Sequence, residues 1–269
     1  MTSIVVHGQR FDVDTARIRE ISAKQSFDSR GPRLFGGTTA SAEVYNKGRF
    51  VGSVADGGTC NVSVITIAPH LHGTHTECVG HLTSAPYHVV DALRQPILPA
   101  TIVTVEPVSA SSLRLEWVEA TRAFDRLIGH ELLAAVLTDP EEGFLEALIV
   151  RTRPNSPAKL TANYDATGAP YFTTAAMRFI RRLGVRHLVV DLPSVDRMDD
   201  GGKLAAHRIF FSLDAANVPA NDRTITELAY VPDAVADGAC VLNIQIPPFA
   251  ADAAPSRLLV APVTRSPGT

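Results

Sequence analysis

Short apolar runs recur along the chain, at residues 62–67, 101–105, 147–152, 187–191, 239–246 and 257–263. Most are apolar nearly throughout instead of alternating, which predicts strands covered on both faces. The period changes at residues 173–184. There Met177, Ile180 and Leu183 recur at helical spacing, while Arg178, Arg181 and Arg182 fall on the other side. Thr173 or Thr174 supplies an N-cap and Gly184 a C-terminal stop, so a helix is predicted with its apolar stripe against a sheet. Residues 110–124, which hold the single tryptophan Trp117, and residues 131–137 carry weaker helical patterns. A helix followed at once by the strand at 187–191 is an α/β signature.

Two stretches interrupt these patterns. Residues 153–171 are rich in Pro, Asn, Thr and Gly and predict a loop, and a loop of that length in a compact domain is often functional. Residues 26–58 are also loop-rich. The chain reads as one domain over residues 1–269, with a loop-rich N-terminal segment at about residues 1–56 that could serve as a lid or an oligomer contact. No internal repeat or low-complexity tract occurs.

A chain of 269 residues can bury a substantial core. With 45% hydrophobic and 20% charged residues, wholesale disorder and rod-like architectures are excluded. The net charge of -3 gives no electrostatic case for nucleic acid, so a small-molecule substrate is expected, with no nucleic acid or membrane partner. The N-terminus lacks the basic opening and apolar run of a secretory signal, and no stretch approaches the roughly 20 apolar residues of a spanning helix. Cys60, Cys78 and Cys240 are odd in number and lack CxxC spacing, which fits a reducing, cytoplasmic setting. Cys78 reads as a buried bystander beside Glu77, because adjacent side chains on a strand face opposite ways.

Chemistry concentrates at residues 70–81, HLHGTHTECVGH, where four of the nine histidines and one glutamate fall within twelve residues. Neutral imidazoles and carboxylates are the ligands that a zinc-type cation takes at about 2.0–2.2 Å, and a catalytic site keeps one position open. On an extended chain side chains two apart share a face, so His75 and Glu77 point into one pocket. Gly73 and Thr74 argue against a helix. The segment is expected as a strand end turning into a site. Any one of these histidines alone reads as a hydrogen-bonded core or surface residue; together they read as metal-binding.

A catalytic shell rarely comes from one loop. Asp191 ends an apolar strand and opens DLPSVDRMDDGGKLAAH, which runs to His207, at the place where α/β sheets put functional loops. Glu227 stands in RTITEL. Asp196, Asp199 and Asp200 are more often solvated loop carboxylates than ligands.

The loop at 70–81, the PSVD segment, the downstream histidine and the TEL glutamate together resemble the cyclase family of metal-dependent hydrolases, which includes kynurenine formamidases and isatin hydrolases. The family pattern H-x-G-T-H-x-D-x-P-x-H is met by Gly73, Thr74, His75 and His81, with Glu77 in the aspartate position, and GGTCN at 57–61 resembles the lead-in. The resemblance runs from about residue 57 to the final strand. It implies an α/β fold, a swivelling β/β/α domain with a mixed sheet flanked by helices. It also implies that His75 and Glu77 are metal ligands, with Glu77 able to bridge two cations, that His81 is the catalytic acid/base, and that His207 and Glu227 complete a second metal position. There are two departures. Leu71 stands where the family has its first histidine, leaving His70 or His72 to substitute, and Val79 replaces the proline. His70 is preferred because side chains alternate along an extended chain; a bulge would present His72 instead.

A divalent cation lowers the pKa of bound water from about 16 to about 7 and polarises a carbonyl. With His81 as proton carrier this chemistry suits hydrolysis of a small amide or lactam, and the resemblance implies an aryl formamide as substrate, first N-formylkynurenine. One or two ions are expected, zinc ahead of manganese, in a homo-oligomer. The alternatives are an isatin-type lactam hydrolase and a catalytically silent metal- or ligand-binding paralogue. A serine hydrolase has no G-x-S-x-G elbow to support it. Phe35, Tyr45, Phe50, Tyr171 and Phe172 are candidates for aromatic lining, although aromatics more often pack cores.

Overall fold

In the computed structural model, which describes residues 2–112, 125–213 and 219–267, eleven strands join in one sheet. In chain order they are β1 (Thr2–Val6), β2 (Gln9–Val13), β3 (Arg19–Glu20), β4 (His75–Glu77), β5 (Ile97–Val105), β6 (Ala147–Thr152), β7 (His187–Val190), β8 (Thr224–Glu227), β9 (Gly238–Gln245), β10 (Ala253–Pro255) and β11 (Arg257–Arg265). Across the sheet they run β1-β2-β11-β9-β5-β6-β7-β8-β4-β10, with β3 against β11. The central four, β5 to β8, are mutually parallel, and the pairings outside them are antiparallel.

The parallel strands are covered on both faces, which is why their sequences run apolar without alternation. Val103, Leu148, Val150, Leu188 and Val190 point to one face, and Ile102, Ala147, Ile149 and Val189 to the other. Four helical segments cover the sheet or carry candidate ligands: α1 (Pro69–His72), α2 (His130–Val136), α3 (Thr174–Arg182) and α4 (Ala205–Phe210). The last three cover the first face through Leu133, Met177, Ile180 and Ile209. Ile21, Val231 and Val235 from connecting segments cover the second.

α3 forms as the sequence predicts. Thr173 Oγ1 accepts a hydrogen bond from the Ala176 N–H at 3.1 Å, and Gly184 takes φ 81° just past the last turn. Met177 and Ile180 are fully buried, each contributing about 1.5–3 kcal/mol by removal from water.

Elsewhere the structure corrects the sequence-based expectations. The strand expected at 62–67 is present as Ser63–Thr66, but it pairs only with Ser41–Val44 and no layer covers it, leaving Val64 and Ile65 52% and 56% exposed. Residues 153–171 are not wholly loop, since they hold a 3-10 turn at Pro157–Thr161 and a helical turn at Tyr164–Thr167. The N-terminal segment contains the β1–β2 hairpin, which turns through His7 and Gly8 at φ 47° and 81°. A two-residue turn with both residues at positive φ matches the twist of the strands it joins. Beyond the 3-10 turn Ala110–Ser112, the helix expected at 110–124 lies outside the described residues. The helix expected at 131–137 is α2.

Candidate functional site

β4 is inserted between β8 and β10, antiparallel to both. The register sets His75 opposite Glu227 and Glu77 opposite Ile225, so His75, Glu77 and Glu227 share one face. Thr76 and Thr226 face the other way, with their hydroxyls 2.8 Å apart. All three ionisable side chains are buried. Gly73 leads into the strand at φ 152°, which L side chains rarely adopt, and an added Cβ would lie 2.6 Å from Gln25 Oε1 and require that side chain to move.

α4 delivers His207. The Asp196 carboxylate accepts from the backbone N–H groups of Ala206 at 2.7 Å and His207 at 3.0 Å, and from His207 Nδ1 at 2.6 Å. That leaves His207 Nε2 facing Glu77 Oε1 at 3.0 Å and Glu227 Oε1 at 3.5 Å. Glu227 Oε1 also accepts from the Val195 N–H at 2.8 Å. Asp196 is thus not a solvated loop carboxylate; it holds the histidine in place.

His70 arrives on α1. Its Nδ1 lies 3.0 Å from Glu77 Oε2 and its Nε2 2.9 Å from Asp252 Oδ2. His72 points elsewhere, its Nδ1 accepting from the Ala68 N–H at 2.9 Å and its Nε2 donating to the Thr38 carbonyl at 2.5 Å. The side-chain alternation expected along residues 70–72 does not apply, because residues 69–72 form a helical turn opened by Pro69. It is this turn that carries His70 to Glu77. His81 sits on the 3-10 turn Val79–Leu82 with its ring stacked on that of His70, centroids 4.1 Å apart. Val79, which replaces the proline, is buried in the main core and anchors this turn by packing.

Glu77 is the hub. Both its carboxylate oxygens, His75 Nε2 and His207 Nε2 are buried without an aligned hydrogen-bond partner. The 3.0 Å approaches to His70 and His207 satisfy the distance of an ion pair but not the angles of a hydrogen bond. We read this as donor atoms converging on shared points between them. Buried polar atoms are nearly always satisfied, so four such atoms in one place call for a group that binds them all. A cation fits. Ligand atoms of His75, Glu77 and Glu227 lie within 4.8 Å of one another, as do those of His70, Glu77 and His81, and Glu77 belongs to both groups.

Residues 14–197 match the family described as Cyclase, "Putative cyclase". The chain belongs to this cyclase family. The match begins and ends earlier in the chain than the motif resemblance does. Solved structures share the fold. A predicted metal-dependent hydrolase from Bacillus stearothermophilus superposes with a TM-score of 0.60 at 15% identity, covering 91% of this chain and 98% of that one. Isatin hydrolase A from Ralstonia solanacearum gives 0.61 at 15% identity, covering 91% and 92%. An isatin hydrolase bound to the product analogue thioisatinate gives 0.59 at 14%, covering 93% of each chain. The mixed α/β sheet with few helices is common to all of them. No curated protein matches the sequence.

Electrostatics at this cyclase-family site follow from burial and crowding. Burial would raise the Glu77 carboxyl, but His207, His70 and His81 around it hold it well below the usual range. Burial would lower His207, yet Glu77, Asp196 and Glu227 lift it well above an ordinary imidazole. His70 likewise is pushed up to about 9, Glu77 and Asp252 overcoming burial. For His75 and His81 burial wins, and both fall below the ordinary value. Protons on His70 and His207 therefore balance the Glu77 charge at neutral pH, in places where a cation would do the same.

Asp191 is taken up by the Thr152 N–H at 2.8 Å and Lys159 Nζ at 2.7 Å, so it braces the sheet end and does not face Glu77. Of the candidate aromatics, Tyr171 and Phe172 are buried in core clusters, and Phe35, Tyr45 and Phe50 are exposed. Sequence reasoning missed Asp252. PPFAADAAP carries no motif, and its one signal is a carboxylate just ahead of the strand that pairs with β4.

Proposed function

We propose that this chain is a metal-dependent hydrolase of small amides. The observation that carries the reading is the convergence of His75 Nε2, His207 Nε2 and both Glu77 oxygens, all buried and without an aligned hydrogen bond. His75, Glu77 and Glu227 would hold one cation, with His207 beside them, and His70 with Glu77 a second, so that Glu77 serves both. Imidazole and carboxylate donors suit zinc first and manganese second. A divalent cation in this site would supply an activated water and a polarised carbonyl at neutral pH.

His81 is the proton carrier in this reading. Burial keeps its ring neutral at neutral pH, so it can take a proton and return it to the leaving nitrogen. Its 28% exposure leaves an edge open toward an incoming substrate, whereas His75 has none. Asp196 keeps the His207 ring oriented, and the Val195 N–H does the same for Glu227.

Within small amides, an aryl formamide such as N-formylkynurenine is the first substrate proposed, on the strength of the family motif. An isatin-type lactam is the second reading, supported by the fold shared with isatin hydrolases. The test measures metal content, then hydrolysis of both compounds before and after chelation. Bound divalent metal is expected, with hydrolysis of one compound that chelation removes and zinc or manganese restores. Unchanged activity in metal-free protein would sink the mechanism. Metal uptake without turnover of formamides, lactams or cyclic imides would make the chain a silent metal-binding paralogue.

The reading includes a cytoplasmic homo-oligomer. Cys60, Cys78 and Cys240 are all unpaired, and no helix among the described residues is long and apolar enough to cross a membrane. Val44, Val64 and Ile65 on the uncovered two-stranded arm give a second copy apolar area to bury. Light scattering on the eluting protein tests the assembly, and a monomer at micromolar concentration would remove it.

A further inference from the structure

Three of the histidines at the Glu77 hub, His70, His75 and His207, each spend one ring nitrogen on an acceptor outside it. His75 Nδ1 donates to the Gly73 carbonyl at 2.9 Å, and His207 Nδ1 to Asp196 Oδ2 at 2.6 Å. The third acceptor is Asp252, whose Oδ2 lies 2.9 Å from His70 Nε2. The other nitrogen of each ring faces Glu77 or Glu227. A neutral imidazole presents a lone pair at one nitrogen because its proton stays on the other, so the outer acceptor decides which atom is the ligand.

The backbone fixes Asp252 where it is needed. Its carbonyl accepts from the Cys78 N–H at 2.9 Å, directly after Glu77, and the Ala251 carbonyl accepts from the Val89 N–H at 2.8 Å. β10 then starts at Ala253, opposite Glu77. Gly80 closes the other side, where an added Cβ would lie 3.0 Å from Asp252 Cβ and 2.3 Å from the Tyr87 carbonyl oxygen. The same Asp252 Oδ2 is 3.6 Å from His81 Nδ1, so one oxygen spans the stacked His70–His81 pair.

We propose that Asp252 is a positioning residue that holds the His70 proton on Nε2, making Nδ1 the ligand atom and letting His70 serve although Leu71 stands in the first-histidine position. The inference rests on the metal-dependent reading and concerns a residue which that reading does not use. A carboxylate behind a metal-ligating histidine fixes the ring and raises its basicity, and losing it typically costs about 10–100-fold in affinity.

The test titrates zinc alone into the full chain against a competing chelator, for wild type, Asp252→Asn, Asp252→Ala and Asp252→Glu. The carboxylate is 41% exposed, so the variants are expected to fold, which circular dichroism checks. Asp252→Asn and Asp252→Ala should lose about 10–100-fold in affinity for the zinc that uses His70, with Asp252→Glu recovering part of it. Binding through His75, Glu77 and Glu227 should be unchanged. Imidazole nitrogen shifts in zinc-loaded wild type should place the His70 proton on Nε2. Wild-type affinity in both Asn and Ala variants, or a His70 proton on Nδ1, overturns this inference alone. A wild-type chain that takes up no zinc overturns the metal-dependent reading and this inference with it.

Discussion

His75 and Glu227 are direct cross-strand partners on antiparallel β4 and β8, with Nε2 and Oε2 3.6 Å apart. The separation of these two buried groups is set by sheet register, not by a loop. A one-residue slip of β4 would turn His75 and Glu77 away from the face that carries Glu227, so the register that pairs β4 with β8 also fixes the site. Groups held on strands are placed before any ligand arrives.

Glu77 and Glu227 should separate on mutation. Glu77 faces His207 with one oxygen and His70 with the other, whereas the histidines that Glu227 pairs with are His75 and His207. Glu77→Gln is expected to empty both cation positions, and Glu227→Gln to weaken only the one that includes His75. Metal per chain measured by plasma mass spectrometry checks this, and equal losses in the two variants would argue for a single shared ion.

His70 and His72, two residues apart, should show opposite phenotypes. His72→Ala removes a buried ring together with its two part-buried hydrogen bonds, to the Ala68 N–H and the Thr38 carbonyl, and is expected to cost about 1–3 kcal/mol of stability while metal content persists. His70→Ala should lower metal content with little change in unfolding midpoint, since that ring is 26% exposed. Denaturant titration and metal analysis of the same samples test the pair.

Replacing His81 by Ala should lower turnover by about 100- to 10,000-fold while metal remains bound, as expected for loss of an acid/base group. The ring is also close enough to His70 and Glu77 to act as a ligand. Loss of metal from this variant would move His81 from proton carrier to ligand.

Cation binding should release protons. With His70 pushed up to about 9, its ring is charged at pH 7, and a cation must displace the proton from Nδ1. Affinity should therefore rise by up to about tenfold per pH unit for each displaced proton between pH 7 and about 9, then level off for His70, and it should fall on acidification. Calorimetry in buffers of different ionisation enthalpy counts the protons. A pH-independent affinity over that range would contradict the assignment.

His187 predicts an acid limit to stability away from the site. Burial, with Arg186 adding to it, lowers this imidazole from 6.5 to about 4, and its Nδ1 lies 2.9 Å from Thr224 Oγ1. The ring stays neutral in the folded chain while the unfolded chain binds a proton below pH 6.5, so stability is full above that value and declines as pH falls toward 4. The loss amounts to about 3 kcal/mol across the window. His187→Gln should flatten that part of the pH–stability curve in urea unfolding experiments.

The sheet centre was legible because parallel strands buried on both faces are long apolar runs, as at Leu148–Val150 and Leu188–Val190. His75 and Glu77 were legible because strand alternation holds on β4. Alternation does not explain His70, because the chain coils into a turn at Pro69, a local event that periodicity over three residues does not register. Asp252 was illegible for a different reason. Its place depends on β10 pairing with β4, a contact between distant segments, and nothing around it in sequence marks that contact. The β1–β2 hairpin does carry a signal, a two-residue His7–Gly8 turn between apolar stretches, although loop-rich residues dominate the rest of that segment.

β4 is three residues long, and both of its edges are held by strands from the last fifth of the chain. During synthesis His75 and Glu77 leave the ribosome long before β8 and β10 exist to flank them. Pairing across so long a stretch of chain is slow, because the entropy of closing the loop is lost before any contact forms. The ligand face is thus incomplete until these late strands have been made. Cation capture would then report a finished fold and hold its two ends together, without nucleating it.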